Sequence, residues 1–309
     1  MKKQKTQSMK SAFIVDHIQF FILLAPAIIM VFLYGYTTIY GIQVAFKDFN
    51  PNLGIWGSKW VGLENFKFFF ASNDAWRVVR NTLLYEAWFL FQGPVVAATV
   101  ALMCYNLSKN YLVKGYMTIM NLPRFMSMIL ISFIIFALLN PRSGVLNQII
   151  MAFGGEAVDW YATPKAWIVI LPLTRMWQTA GTSCLLYYAT LVGINPELFE
   201  AAKIDGASKW QQTWHIALPE LKAIIAISTI LGVADIFSGD FALHYQATRN
   251  VGTLYPTTDI INTYTFRTMM SGAFSKSAAV GLMQSIVGII LTFTANGIVG
   301  KINPDYTMF

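Results

Sequence analysis

Glu200, Ala201, Ala202, Gly206, Ile216, Leu218 and Pro219 stand in the spacing E-A-A-x3-G-x9-I-x-L-P, between two long apolar runs. These residue types make and break no covalent bond. What they can do is dock. Glu200 and Asp205 can pair with basic groups on another chain, and the small Ala201, Ala202 and Ala207 let a partner backbone approach closely. The flanking residues say how such a segment is held. Asn195 can N-cap a helix, Pro196 suits its first position, and Glu197 suits the positive end of its dipole. The helix is expected to stop near Ile204, with Gly206 as the left-handed residue beyond it. Ser208 can cap a second short helix through His215, and Pro219 opens the next apolar run. Segment 195–219 therefore reads as helix–glycine–helix lying flat at a membrane face, anchored by Phe199, Trp210 and Trp214.

A second set of residues is polar but sits inside apolar runs: Glu86 with Trp88 and Gln92, Arg175 with Trp177, Gln178 and Tyr188, and Asp235. Charges within a membrane are costly and usually face a cavity or a partner. Hydroxyl-binding polar groups beside aromatic platforms suit sugar recognition, so these eight are candidates for a substrate path. Each also has a structural reading. Glu86 and Arg175 could pair between helices, Asp235 could cap a helix end, and the aromatic residues could sit at the interface or against lipid.

The chemistry that is missing narrows the class. No G-x4-G-K-[ST] loop occurs, and Gly300-Lys301 lacks both the earlier glycine and the following hydroxyl. No H-E-x-x-H, G-x-S-x-G or paired-carboxylate motif appears, so no catalytic residue is assigned. Cys104 and Cys184 fall in apolar runs as buried small residues, and the three histidines are too scattered for a metal site. The net charge of +7 comes from basic residues spread along the chain, with no stripe that would track nucleic acid.

Elements long enough to position these residues must lie in lipid. Of 309 residues, 56% are apolar and only 12% charged, with a mean hydropathy of +0.52. A soluble domain carries about 25% charged residues. Residues 18–46 hold no charge at all, and this run is too long for the apolar core of a signal peptide. Further spans are expected near 82–104, 116–139, 166–191, 221–239 and 278–300. The fold class is all-α: a polytopic membrane bundle of six transmembrane helices, residues 1–309 forming one domain. Segment 47–80 reads as a large loop, partly amphipathic near Asn65–Ala71. Segment 240–277 reads as a second, with short helices on the membrane surface. Lys and Arg divide evenly between the two sides and do not orient the bundle.

The full match over Glu200–Pro219 resembles the signature loop of binding-protein-dependent ABC importer permeases of the MetI-like fold, and the whole chain is similar to the MalF/LplB-type sugar permeases. The aromatic stretch Trp60–Phe66 looks like that of the branch handling complex oligosaccharides. One departure is that many members carry another proline soon after Leu-Pro, where this chain has Glu220-Leu221-Lys222-Ala223. The resemblance implies a permease subunit of an ATP-driven importer. Its expected partners are a second homologous permease, an ATPase dimer, an extracytoplasmic solute-binding protein, an oligosaccharide and the lipid bilayer, with no nucleic acid. ATP and Mg belong to the ATPase, so no cofactor is expected in this chain. The resemblance assigns ATPase coupling to Glu200, Ala201, Ala202, Asp205, Gly206, Leu218 and Pro219. It places that loop in the cytoplasm, and hence both termini on the cytoplasmic side of a bacterial cell membrane. The alternatives are an ABC permease for a non-sugar solute and an ATP-independent secondary transporter.

Overall fold

In the computed structural model of the chain, residues 20–107, 110–237 and 239–302 are described. The first helix, α1 (Phe20–Phe46), is apolar throughout. Its side chains from Phe20 to Tyr40 are almost all exposed, and only the last turn, Ile42–Phe46, packs on the final helix. An uncovered apolar surface of this size requires an apolar surround. The start of the expected span, residues 18 and 19, lies outside the described residues.

A two-stranded ribbon follows, Lys47–Asp48 (β1) against Lys59–Trp60 (β2), with Lys47 opposite Trp60. The short helix α2 (Glu64–Ala71) then returns to the end of α1. Asn65 is buried there and its Nδ2 donates to the carbonyls of Ala45 (2.9 Å) and Lys47 (3.0 Å). Trp60 stacks on Phe46 at 5.7 Å, and Phe66 packs on the same ring at 5.3 Å. The Trp60–Phe66 stretch thus holds the helix end.

The centre of the molecule is a parallel pair, α3 (Asn73–Tyr105) and α7 (Pro164–Val192), which share the most extensive contact among the described elements. α3 is capped by Ser72, whose side chain accepts from the Ala75 N–H. It starts nine residues before the expected span because Asp74, Arg77 and Arg80 form a charged leading turn. At 33 residues it is about 50 Å long, well beyond the roughly 30 Å of a hydrocarbon core. One core cluster joins Tyr85 and Phe89 to Trp167 and Leu171. Another, at the opposite end, joins Ala97, Ala98 and Ala101 to Cys184, Tyr187 and Leu191. Lipid is as apolar as leucine, so close packing of small residues must hold such helices together.

The expected span 116–139 is two helices, α4 (Asn110–Phe125) and α5 (Met128–Leu139), bent by 99°. Pro123 cannot support a continuing ladder, and Ser127 caps a new helix by accepting from Leu130 N–H at 3.3 Å. α4 lies against α7 so closely that a Cβ on Gly181 would sit 2.2 Å from the Met120 carbonyl oxygen. Helix α6 (Val145–Ala152) follows α5. Beyond α7 come α8 (Pro196–Ile204), α9 (Lys209–Glu220), α10 (Lys222–Asp235), α11 (Ile261–Met270) and α12 (Phe274–Ile302).

Three described helices, α1, α3 and α12, are long and apolar enough to cross a membrane. Counting the bent pairs α4–α5 and α9–α10 as one span each gives five. The sixth expected span, 166–191, is the helix α7, which has the length but not the apolarity. Lys165, Arg175 and Gln178 lower its hydropathy, and neighbouring helices rather than lipid cover much of it.

Segment 240–277 differs from the surface-lying helices expected of it. Leu243, Ala247, Leu254, Ile260 and Ile261 are fully buried, so its short helices fold back into the bundle against α5 and α7. Asp259 fastens it. Both carboxylate oxygens receive the Arg267 guanidinium, at 2.8 and 2.7 Å. Arg77 of α3 donates to Oδ2 at 2.9 Å and Thr263 to Oδ1 at 2.7 Å. The Asp259 side chain has no exposed surface.

Two substitutions test this packing by thermal melting of the purified protein. Gly181→Leu drives a side chain into the Met120 backbone and is expected to cost about 1–3 kcal/mol or more. Gly115→Ala, where a Cβ meets nothing within 4 Å, is expected to melt like the parent. Asp259→Ala removes the buried carboxylate that holds Arg267 and leaves Arg77 with Asp74 alone, and is expected to cost about 3 kcal/mol.

Candidate functional site

Two sites emerge, at opposite depths of the α3–α7 pair. The first is segment 195–219. Asn195 Oδ1 accepts from Glu197 N–H at 3.1 Å, with Pro196 in the first helical position. α8 closes through Gly206, whose φ is +79°. Ala207 N–H donates to the Ala202 carbonyl at 2.8 Å and Gly206 N–H to the Lys203 carbonyl at 3.2 Å, the paired bonds of a Schellman ending. Ser208 opens α9 with a reciprocal capping box to Gln211. Gln212 is buried and its Nε2 donates to the Ala207 carbonyl at 2.9 Å, binding the second helix to the turn.

The expected second helix ending at His215 instead runs on to Glu220, and Pro219 lies inside it rather than opening the next helix. A wide π-turn at Thr213–Ala217 precedes the proline. Pro219 has no N–H to give and its ring displaces the carbonyl one turn back, which favours such widening. The chain breaks at Leu221, and α10 leaves at 49°.

Glu200, Ala201, Lys203, Ile204, Asp205 and Gly206 form an exposed ridge, with Ala202 half-buried behind it. Ile204 is 87% exposed. The rest of the segment is rooted. Phe199 packs on Tyr105 at 5.8 Å, and Ala217, Leu221 and Leu218 join the cluster of Ala97, Ala101 and Leu191. Trp210 and Trp214 meet edge to face at 5.6 Å and remain exposed.

The second site is a cavity of about 400 Å³ between α3, α7 and α10. Glu86, Phe89, Gly93, Pro94, Arg175, Thr182, Ser183, Tyr187, Ser228 and Gly232 are among its lining residues. A smaller space of about 160 Å³ adjoins it, where Gln92 and Thr179 join Arg175 and Ser183. Glu86 and Arg175 do converge, through a third residue. Arg175 forms an ion pair with Asp240. The Asp240 N–H donates to Glu86 Oε1 at 3.1 Å, and Asp240 Oδ1 accepts from Leu243 N–H at 3.0 Å. The Arg175 guanidinium also lies over the Phe89 ring at 5.3 Å. Gln92 donates from Nε2 to the Pro172 carbonyl at 3.2 Å while its buried Oε1 has no hydrogen-bond partner.

The other candidates fall elsewhere. Trp88 and Trp177 are exposed. Gln178 and Tyr188 are outside both linings, and Tyr188 packs instead on the Ala97–Leu191 cluster. Asp235 closes α10, and its side chain lies outside what is described. Sequence reasoning missed Asp240, Tyr187 and the hydroxyls of Thr182, Ser183 and Ser228. The helical spacing 175–179–182–186 carried the signal for α7, because these positions share one face.

Deeper along the same wall, His244 stands edge-on to Tyr85 at 4.6 Å, with Nδ1 2.7 Å from the Thr258 carbonyl. Burial pushes its imidazole down to about 4, so it adds no positive charge near neutral pH. Among the described residues no group of three or more His, Cys, Asp or Glu could hold a metal ion. The arrangement suits recognition and movement.

A family model described as the binding-protein-dependent transport system inner membrane component matches residues 92–307. Protein LplB of Bacillus subtilis (strain 168) is 32% identical over 289 residues, covering 92% of this chain and 89% of that protein. The polygalacturonan/rhamnogalacturonan transport system permease protein YteP of the same organism is 32% identical over 286 residues, covering 92% and 88%. The fold matches a chain in the crystal structure of a bacterial ABC transporter involved in the import of the acidic polysaccharide alginate. The TM-score is 0.85 at 28% identity, covering 94% of this chain and 98% of that one. A crystal structure of a bacterial alginate ABC transporter in complex with an alginate pentasaccharide-bound periplasmic protein matches with a TM-score of 0.84 at 27% identity, covering 94% and 97%. The membrane-type bundle and these matches agree: the chain belongs to the family of inner membrane components of binding-protein-dependent transport systems, as a multi-pass ABC permease subunit whose ATPase is a separate subunit.

Proposed function

We propose that this chain forms part of the path by which an oligosaccharide, delivered by an extracytoplasmic binding protein, crosses the membrane of a bacterial cell, and that segment 195–219 is its contact with the ATPase. The observation that carries the reading is the ridge Glu200–Gly206. It is built from internal caps, exposed on one side and rooted in the α3–α7 core on the other. A body held that way transmits a push without deforming.

ATP and Mg bind the partner ATPase dimer, and a second homologous permease completes the path. Closure of the ATPases moves the ridge, and the bundle exchanges inward-facing for outward-facing states. Glu200 and Asp205 present charge to the ATPase, Ala201, Ala202 and Gly206 allow its close approach, and Leu218 and Pro219 fix the ridge to α10. The ridge faces the cytoplasm, with both termini on that side. α7 serves as a sixth span, screened by α3 and α4. Glu86, Gln92 and Arg175 are the substrate-path residues of the original set that line the cavities. Relatives named for polymeric glycans favour a sugar cargo over a non-sugar solute.

Labelled-oligosaccharide uptake by cells with and without this chain, with an ATP-depleted control, tests the reading. Deletion is expected to abolish ATP-dependent uptake. Uptake that needs the chain yet survives ATP depletion would overturn it. Gly206→Pro removes both the left-handed residue and the N–H that closes α8, and is expected to abolish uptake while the chain stays in the membrane. Glu200→Lys reverses a ridge charge, and about tenfold weaker co-purification of the ATPase is expected.

A further inference from the structure

We propose that Tyr40, Leu53, Trp56 and Trp60 form a collar around the end of α1 that seats in the lipid headgroup layer. The surface it fits is the bilayer itself, and the inference rests neither on the cargo nor on the ATPase contact.

Depth is the first argument. α1 has 27 residues, about 40 Å of helix. A hydrocarbon core is about 30 Å thick, and the headgroup layers bring the bilayer to about 40–45 Å. A helix of that length with an uncovered apolar flank ends among headgroups, which puts Phe46 and Lys47 at that level. Tyr40 lies six residues before the end of α1, about 10 Å deeper. Its ring is more than half exposed and meets Trp56 at 6.4 Å. Trp56 belongs to the loop, yet it hangs beside α1 where tails give way to headgroups.

The build of the collar is the second argument. Trp60 stacks on Phe46 at 5.7 Å and stands opposite Lys47 in the ribbon. Lys47 Nζ donates to the Ile55 carbonyl at 2.7 Å and lies 5.9 Å from the centres of both the Trp56 and Trp60 rings. The two indoles therefore flank one ammonium and are held in place by it. Both stay exposed, Trp56 by 78%. Leu53 is exposed too, three residues before Trp56 across the single helical turn Gly54–Gly57, so it shares that side. An indole has a large apolar body and one N–H donor, and the headgroup layer satisfies both parts at once. The collar also continues the lipid-facing flank of α1 without a break, because Tyr40 belongs to both.

The test reads depth directly. Nitroxide labels are placed at Trp56→Cys and Leu53→Cys in the permease–ATPase complex, reconstituted in phosphatidylcholine–phosphatidylglycerol vesicles. The parent chain, whose Cys104 and Cys184 are buried, is treated alongside as the blank. Ile29→Cys, on the exposed flank of α1, marks the hydrocarbon. Collisions with oxygen, which concentrates in lipid, are compared with those of a water-soluble nickel chelate. At both collar positions oxygen is expected to prevail, by less than at Ile29. Leu53→Cys leaves both indoles in place, so a loop loosened by the loss of Trp56 is recognised. Free access of the nickel chelate to both labels would overturn the proposal. Shielding of both labels from both reagents would also overturn it, since protein and not lipid would then cover the collar.

Discussion

Everything in this chain hangs on the close parallel contact of α3 and α7. Within lipid, burying leucine against leucine gains little, because the surrounding tails are equally apolar. Contact has to come from small residues and from polar groups that cannot be left alone. Ala97, Ala98, Ala101 and Cys184 let the backbones approach at one end, and Gly181 lets α4 reach α7. At the other end, carboxylates and guanidiniums bind the two helices to the segment after α10. The helices are therefore pinned by different physics at the two ends, and the cavity lies where the two sets meet, lined by Glu86 and Arg175 from one and by Ala97 and Tyr187 from the other.

That middle is also where the helices are weakest. Pro94 lies within α3 beside Gly93, and Pro172 lies within α7. Each proline leaves the carbonyl four residues earlier, that of Leu90 or Ile168, without its helical donor, and Gln92 ties the two helices together by donating to the Pro172 carbonyl. Bending at these points changes the cavity without melting either helix. The two regions differ in kind: segment 195–219 is braced by its own caps, whereas the centres of α3 and α7 are interrupted by prolines.

Much of segment 195–219 was legible in the sequence because its architecture is local. Asn195, Pro196, Gly206 and Ser208 each act within a few residues of themselves, and caps of this kind are encoded by residue type. The break near Pro219 was only half legible, since a proline announces a disturbance without saying whether the helix ends or widens. The polar cluster was harder. Glu86 and Arg175 stood out as charges in apolar runs, but Asp240, the residue that joins them, lies in a segment expected to face solvent. Its partners are 65 and 154 residues away, and no periodicity reports such a pairing. Trp177 and Tyr188 attracted notice for their ring type, whereas helical phase placed Thr182, Ser183 and Tyr187 on the wall. Segment 240–277 misled for a related reason: short apolar helices look alike whether they lie on a membrane or plug the end of a bundle.

The first helix has a consequence for how the molecule is made. α1 is held to the rest through Ile42–Phe46, where Asn65 and the Trp60–Phe66 clamp grip it, with Tyr40 against Trp56 just before. During synthesis it leaves the ribosome before Trp60, Asn65, Phe66 and the final helix that grip its end, and it can enter the membrane as a helical unit. Insertion and docking are then separate events in time. The clamp, completed once Phe66 has emerged, fixes the direction in which the free helix points and leaves its flank open to whatever assembles beside it. Assembly order, and not only the final contacts, is written into the first seventy residues.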